Sequence, residues 1–278
     1  MSVVLEIFTA LYYLFLKVLP FAVLFFLIEK INKAEKTTKF FKKDFDVEVF
    51  LIIFNKIIEV LLFVFVIGGY YYYILNPYFS YKIFNMADLF SKPVQLILCL
   101  VMYDFFSYWR HRLMHRILWK VHAVHHSASE VTWITRHRFH PFENIISVFF
   151  EVTFMYFIGV DPEVIFAGAI ILSAVFYLSH ANIDLKYPSP FRYLLISPYF
   201  HRWHHANIEE AYDKNFCGIF PFWDKLFGTY YHPEELPKGY GLSKQEQSKY
   251  SNTYTGSLLY PFLGILKHSY KKTEKENK

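Results

Sequence analysis

Nine histidines fall into four groups along the chain: an HxxxH box at His111 and His115, an HxxHH box at His122, His125 and His126, a single His180, and a second HxxHH box at His201, His204 and His205. Residues three and four apart on a helix share a face, so each box is expected to turn its imidazoles towards one point. Eleven of the 13 histidines lie between residues 111 and 205, where an even scatter would leave about four. A fold that gathers so many imidazoles must give them metal or hydrogen-bond partners, because an unpaired buried ring nitrogen is costly.

The first box reads His111-Arg112-Leu113-Met114-His115 and lacks the glutamate that serves as base in HExxH zinc proteases. Cys99 lies in an apolar run and Cys217 has no CxxC partner, which speaks against thiolate zinc sites and a disulfide framework. Eight or more nitrogen ligands exceed the coordination of one ion and suit two ions with open positions. Imidazole serves zinc, copper, iron and nickel alike, so the donor set leaves the metal unnamed. A pair of open-site irons is the arrangement that activates dioxygen against an unactivated C–H bond.

Composition places these boxes beside a membrane. Hydrophobic residues make up 54% of the 278, aromatics 22% and charged residues only 19%, less charge than a soluble domain normally carries. The run from about Ile7 to Ile28 is long enough to span a bilayer, although Lys17 and Pro20 interrupt it. It shows no cleavage-site pattern and is expected to be a retained span. A second run, Ile57 to Leu75, ends in Tyr70, Tyr71, Tyr72 and Tyr73, suited to an aromatic belt. A third, Val94 to Tyr108, leads into the first box. Residues 144–159 and 163–179, joined by Val160-Asp161-Pro162, are each short for a full crossing and are expected to form a hairpin that returns His180 to the side of the boxes. Lys30, Lys33, Lys36, Lys39, Lys42 and Lys43 crowd the first loop, whereas the loop 76–92 holds only Lys82 and Lys92. By the positive-inside rule the first loop, all the boxes and His180 are cytoplasmic.

The motifs resemble those of the fatty acid hydroxylase/sterol desaturase superfamily. The stretch from Asp104 through Trp109 to His115 is similar to its opening box. Trp119 to Ser127 resembles the second, and Arg138-Phe139-His140-Pro141-Phe142-Glu143 the element that follows. His180-Ala181-Asn182 and His201 to His205 resemble the later signatures, and Asn215 to Gly218 and Trp223 to Tyr230 the end of the domain. This resemblance covers about residues 94–235. It implies an integral-membrane, O2-dependent di-iron oxidoreductase that hydroxylates or desaturates a lipid, whether sterol-like, fatty acyl or ether lipid. It also implies that the nine histidines hold two iron ions, with His140 either a tenth ligand or a residue that orients a neighbour.

Asp104 stands seven residues before His111 on the same helix face and is expected to accept the second N–H of a ligand histidine. Glu143 and Asn182, and with them Glu130 and Asp224, are candidates for the same task. Arg112, Arg138 and Arg202 stand beside histidines and either pair with carboxylates or solvent, or bind a phosphate or the electron donor. No fused electron carrier is evident, so electrons are expected from a separate protein or reductant. The net charge of +5 suits anionic lipid head groups, and no nucleic-acid motif is present.

The expected fold class is all-α: an integral-membrane helical bundle of about three spans plus a helical hairpin, with a cytoplasmic histidine-rich helical cap. Residues 1–93 supply membrane spans and loops, 94–235 the catalytic region and 236–278 a charged cytoplasmic tail, within one integrated domain. A bacterial inner membrane is favoured, or the endoplasmic reticulum if the source is eukaryotic. Two rivals are a metal-transporting or metal-buffering membrane protein, which would need polar residues along its spans, and a bis-His haem carrier, which would need histidines on facing spans.

Overall fold

The computed structural model describes residues 19–36, 44–61, 85–247, 249–250 and 252–262. Lys17, the tetratyrosine run, Lys39, Lys42, Lys43, Lys82 and the terminal segment 263–278 lie outside them, as do most of the first two apolar runs. Among the described residues every regular element is helical, and the only β pairings are isolated bridges of Lys33 with Ile183 and Ala206 with Tyr240.

Residues 19–31 form α1, followed by α2 (Phe45–Leu61), the short α3 (Met86–Leu89) and α4 (Lys92–Ile117). Pro93 in the first turn of α4 fits a position where the missing N–H is not needed. The helix then runs about 39 Å, so the apolar stretch 94–108 and the first histidine box are one continuous rod. After α5 (Trp119–His126) and a 3-10 turn (Trp133–His137), α6 (Pro141–Ile158) and α7 (Pro162–His180) make the hairpin. Its reversal uses Gly159 at φ 59, the left-handed region that glycine enters freely. The remaining helices are short: α8 (Pro198–His204), α9 (Phe222–Leu226), α10 (Lys244–Gln247) and α11 (Tyr254–Leu259).

The hairpin turn sits at one end of the bundle. There Gln95 of α4 contacts Asp161, and Met86 packs with Ile158, Val160 and Val164. The histidines sit at the other end, where α1 finishes, α2 begins, α4 finishes, α6 begins and α7 finishes. Glu29 of α1 accepts the N–H groups of Trp133 and Asn182 there, and Val47 and Leu51 of α2 pack on Ala123 and Val124 of α5. Leu242, Tyr250 and Tyr260 join that same cluster and pack over α5 as part of the fold.

Only α7 among the described helices is long and apolar enough to cross a membrane by itself, with a mean hydropathy of 1.8. Large apolar side chains nonetheless face outward along the bundle, among them Leu24 and Leu27 of α1, Ile97 of α4, and Phe166 and Ile170 of α7. An outward apolar surface of this extent is what a lipid environment requires and water opposes.

Candidate metal centre

All nine box histidines converge, and they do so as two groups. His111, His115, His122, His126 and His204 form the first, and His125, His180, His201 and His205 the second, with ring nitrogens in each group within 4.8 Å of one another. The HxxHH boxes do not each face one point, as the spacing had predicted. On α5, His122 and His126 turn to the first group while His125 turns to the second. On α8 the assignment reverses, with His201 and His205 in the second and His204 in the first. At about 100° per residue, positions i and i+4 lie about 40° apart on the helix while i+3 falls on the other side of i. Each box is therefore a fork with a tine in either group.

The local sequence sets these forks rigidly. Pro198 opens α8, and Ser197 caps it with a side-chain oxygen that accepts the Phe200 N–H at 3.1 Å. In the 3-10 turn, Thr132 and Thr135 cap one another's backbone, which fixes the chain between α5 and α6.

Contacts behind the rings decide which nitrogen faces inward. The Nδ1–H of His122 donates to Glu143 at 2.8 Å, that of His111 to the Phe216 carbonyl at 2.8 Å, that of His204 to the Lys214 carbonyl at 2.8 Å, and that of His180 to the Phe176 carbonyl at 2.9 Å. His115 reaches Asp213 at 3.2 Å in the same way. A proton held at Nδ1 leaves Nε2 as a bare lone pair. Yet His111 and His122, both so fixed, bring their Nε2 atoms to 3.0 Å, and the bare Nε2 of His180 lies 3.0 Å from that of His201. The Nε2 atoms of His115 and His204 are buried with no hydrogen-bond partner. Lone pairs pointed at each other repel unless a cation lies between them, and two nitrogens each about 2.1 Å from a shared ion sit about 3 Å apart. The donor set fits metal in both groups.

Electrostatics agree. Burial pushes the imidazoles of His122, His126, His201, His204 and His205 well below the ordinary histidine range, with neighbouring histidines adding to the effect, and burial takes His125 down to about 3. These rings are neutral, metal-ready ligands at pH 7. The unfolded chain takes up protons near pH 6.5 while the folded one does not, so acidification favours unfolding. Metal-depleted protein is expected to hold its melting temperature above pH 7 and to lose it steadily from about pH 6.5 downward. A thermal scan across pH 5–8 in neutral detergent measures this, and a flat profile would contradict it.

Of the residues expected to support ligands, Glu143 does so directly. Glu143→Gln keeps an acceptor oxygen and should weaken metal retention against a chelator by about tenfold, with Glu143→Ala nearer a hundredfold. Asp104 corrects its expectation: it touches no histidine, and its carboxylate instead accepts the backbone N–H groups of Gly218, Ile219 and Phe220 at 2.7–2.9 Å. Asp224 likewise takes the N–H groups of Phe216 and Cys217. Asn182 accepts from Arg202 at 2.7 Å and from the Glu35 N–H, and Glu130 offers its carbonyl to Thr135. His140 belongs to neither group; its ring donates to the Leu258 carbonyl and accepts from the Phe142 N–H. Arg138 and Arg202 are fully buried and face Glu48 and Glu35, respectively, whereas Arg112 bonds the Tyr108 hydroxyl.

Sequence reasoning marked Asn215 to Gly218 only as a motif and missed the role of the strap 213–220, which carries Asp213, the Lys214 carbonyl and the Phe216 carbonyl to three rings of the first group. Asp213 and Asn215 adopt φ values of 56 and 59, tolerable for Asp and Asn because their side chains bond locally. Asn215 is held in addition by donating to the carbonyls of Phe200 and Tyr231, 15 and 16 residues away. Gly218 is required: a Cβ there would meet Phe176 at 2.9 Å and Asp104 at 3.1 Å.

Residues 96–229, which carry every one of the nine histidines, match the family model described as fatty acid hydroxylase. That stretch is similar to the fatty acid hydroxylase family. Relatives include an ornithine lipid hydroxylase of Rhizobium tropici, 29% identical over 163 residues that make up 58% of this chain and 49% of that protein. An alkylglycerol monooxygenase of Homo sapiens is 28% identical over 167 residues, 59% of this chain and 36% of that one. A lathosterol oxidase of Rattus norvegicus is 28% identical over 160 residues, 55% and 51% respectively. All three are oxidoreductases by name, and the chain spans about half or less of their length. No solved structure matches it.

Proposed function

We propose that this chain is a member of the fatty acid hydroxylase family and a membrane-embedded, O2-dependent di-iron oxidoreductase that hydroxylates or desaturates a lipid. The observation that carries the reading is the convergence of nine ring nitrogens into two groups, with the bare Nε2 lone pairs of His111 and His122 3.0 Å apart in the first. In this reading His111, His115, His122, His126 and His204 hold one iron and His125, His180, His201 and His205 the other. When bound, the irons supply the means to use O2 against a C–H bond.

The chain's own residues do the rest. Glu143, Asp213 and the carbonyls of Phe176, Lys214 and Phe216 hold His122, His115, His180, His204 and His111 in one tautomer, so little has to reorganise at these five rings when metal enters. A cavity of about 290 Å³ reaches His111, His122, His125, His180 and His201 from the direction of the bundle, giving a lipid a way to the centre from the side of the helices. Phe139, Phe176 and Phe216 line it and keep water from the reacting carbon.

The topology belongs to the same proposal: about three crossings and a hairpin, the histidine end in the cytoplasm, electrons from a separate protein or reductant, and a bacterial inner membrane as the favoured site. Lys30, Lys33 and Lys36 close α1 at the histidine end, as the positive-inside rule asks. Residues 1–93, 94–235 and 236–278 then serve as membrane spans, catalytic region and closing segment of one unit.

The test is to purify the full chain, measure bound iron, and compare lipid profiles of cells with and without it. Iron in the protein and a lipid that gains an oxygen or loses a hydrogen pair are the expected results. Undiminished turnover by iron-free protein would refute the proposal, as would iron-loaded protein that leaves every lipid unchanged.

A further inference from the structure

The cavity beside the histidines is not the greasy tunnel that an alkyl chain alone would ask for. Its walls come from α2, α4, α6, α7 and the 3-10 turn, and Lys56, Glu59, Tyr103, Arg110, Arg136 and Glu151 are all on its lining. Charge in such a position is costly unless it is answered. The carboxylates are answered from within. Glu59 pairs with Lys56, Glu151 accepts from Tyr103 at 2.8 Å, and Glu143 accepts from His122.

The two guanidinium groups are not answered in the same way. Arg110 donates to the hydroxyls of Ser147 at 2.6 Å and Ser107 at 3.4 Å. Arg136 donates to the Ser173 carbonyl at 3.0 Å and lies over the Tyr177 ring at 4.4 Å. Among the described residues neither has a carboxylate in ion-pair contact; Arg110 acts on Glu143, and Glu59 and Glu151 act on Arg136, only from farther off. Each guanidinium carries five donors and stays charged at any relevant pH. Both are close to the histidine groups: the charge of Arg110 is felt at His111 and that of Arg136 at His180.

We infer that this chamber holds the anionic part of a lipid headgroup between Arg110 and Arg136, so that the carbon oxidised lies within a few bonds of that headgroup. The inference rests on the oxidoreductase reading for the word "oxidised", but the anion site stands on its own geometry. At about 290 Å³ the chamber sits at the low end of ligand pockets, sized for a headgroup and the first carbons rather than a whole two-chain lipid. The remainder of the substrate stays between the helices and the bilayer. Phosphate and carboxylate would both satisfy the two forks.

The test uses full-length protein in neutral detergent, holo and metal-depleted, with its melting temperature followed against dodecyl phosphate, dodecanoate, dodecanol and dodecyltrimethylammonium. At least one of the two anions should stabilise the protein at concentrations about tenfold lower than dodecanol, and which one does so separates phosphate from carboxylate. Arg110→Met and Arg136→Met should each erase that preference, Arg110→Lys should keep part of it, and Lys244→Gln, which removes a surface charge on α10, should leave it intact. Should one methionine variant not fold, the other carries the comparison. Equal response to dodecanol and the anions, a stronger response to the cation, or a preference that survives both methionine variants would overturn the site. Fragmentation of the oxidised lipid then locates the new oxygen or double bond, and a change far down the chain would overturn the placement. A protein that prefers anions but oxidises nothing keeps the chamber and loses the oxidoreductase reading. One that oxidises a lipid without any anion preference does the reverse.

Discussion

Alanine in place of His180 should leave the protein folded with half of the wild-type iron and turnover reduced by more than about a thousandfold. His180 closes α7 and belongs to the smaller group, where three rings would remain. Its own Nδ1–H is committed to the Phe176 carbonyl, so its Nε2 has no task in the fold other than the one it meets at His125 and His201, at 3.3 and 3.0 Å. Ligand-supporting residues alone carry about ten- to a hundredfold in metal affinity, and a ligand carries more. Iron analysis alongside lipid turnover measures both halves of the expectation. His232→Ala, outside both groups and half-buried against Tyr230, should retain its iron and serves as the comparison. Full iron in the His180 variant would remove it from the centre.

Asp104→Ala should be the most damaging substitution that touches no histidine. Its carboxylate is completely buried and satisfies three backbone N–H groups. Each buried donor left unpaired costs about 1–3 kcal/mol, so a loss of at least about 3 kcal/mol is expected, visible as a large fall in melting temperature. The effect should also reach the metal. Gly218 to Phe220 continue the strap whose Phe216 carbonyl orients His111, and a slack strap lets that ring turn. Asp104→Asn should recover only part of the loss, because its amide nitrogen would face one of the same N–H donors. Iron retention and thermal stability measured on both variants check this, and a stable, iron-replete alanine variant would contradict it.

The histidine centre was legible in the sequence because its signal is periodic. Boxes spaced by three and four residues on α4, α5 and α8 announce helix faces, and the apolar run 162–180 announces both a helix and the delivery of His180. What the spacing hid was the division of each HxxHH box between two groups, since a three-residue step falls on one side of its neighbour and a four-residue step on the other. The strap was illegible for a different reason: most of its work is done by carbonyls of Lys214 and Phe216, and a main-chain oxygen leaves no mark in a sequence. Asp104 was found by its helical offset from His111, yet its partner was a loop more than a hundred residues downstream. Arg110 and Arg136 drew no notice because neither stands at an unusual spacing, and only the cavity between four helices and a turn brings them together.

The strap also fixes when the centre can be completed during synthesis. Chains leave the ribosome from the N-terminus, so α4 and α5 are made well before Asp213, Lys214 and Phe216. Until that late segment docks, nothing behind His111, His115 or His204 holds the proton at Nδ1, and each ring is free to present either nitrogen. An ion that arrived early would meet ligands still able to rotate away. The first site can thus be finished only once the chain has passed residue 216, and a product truncated before residue 213 is expected to bind metal there poorly.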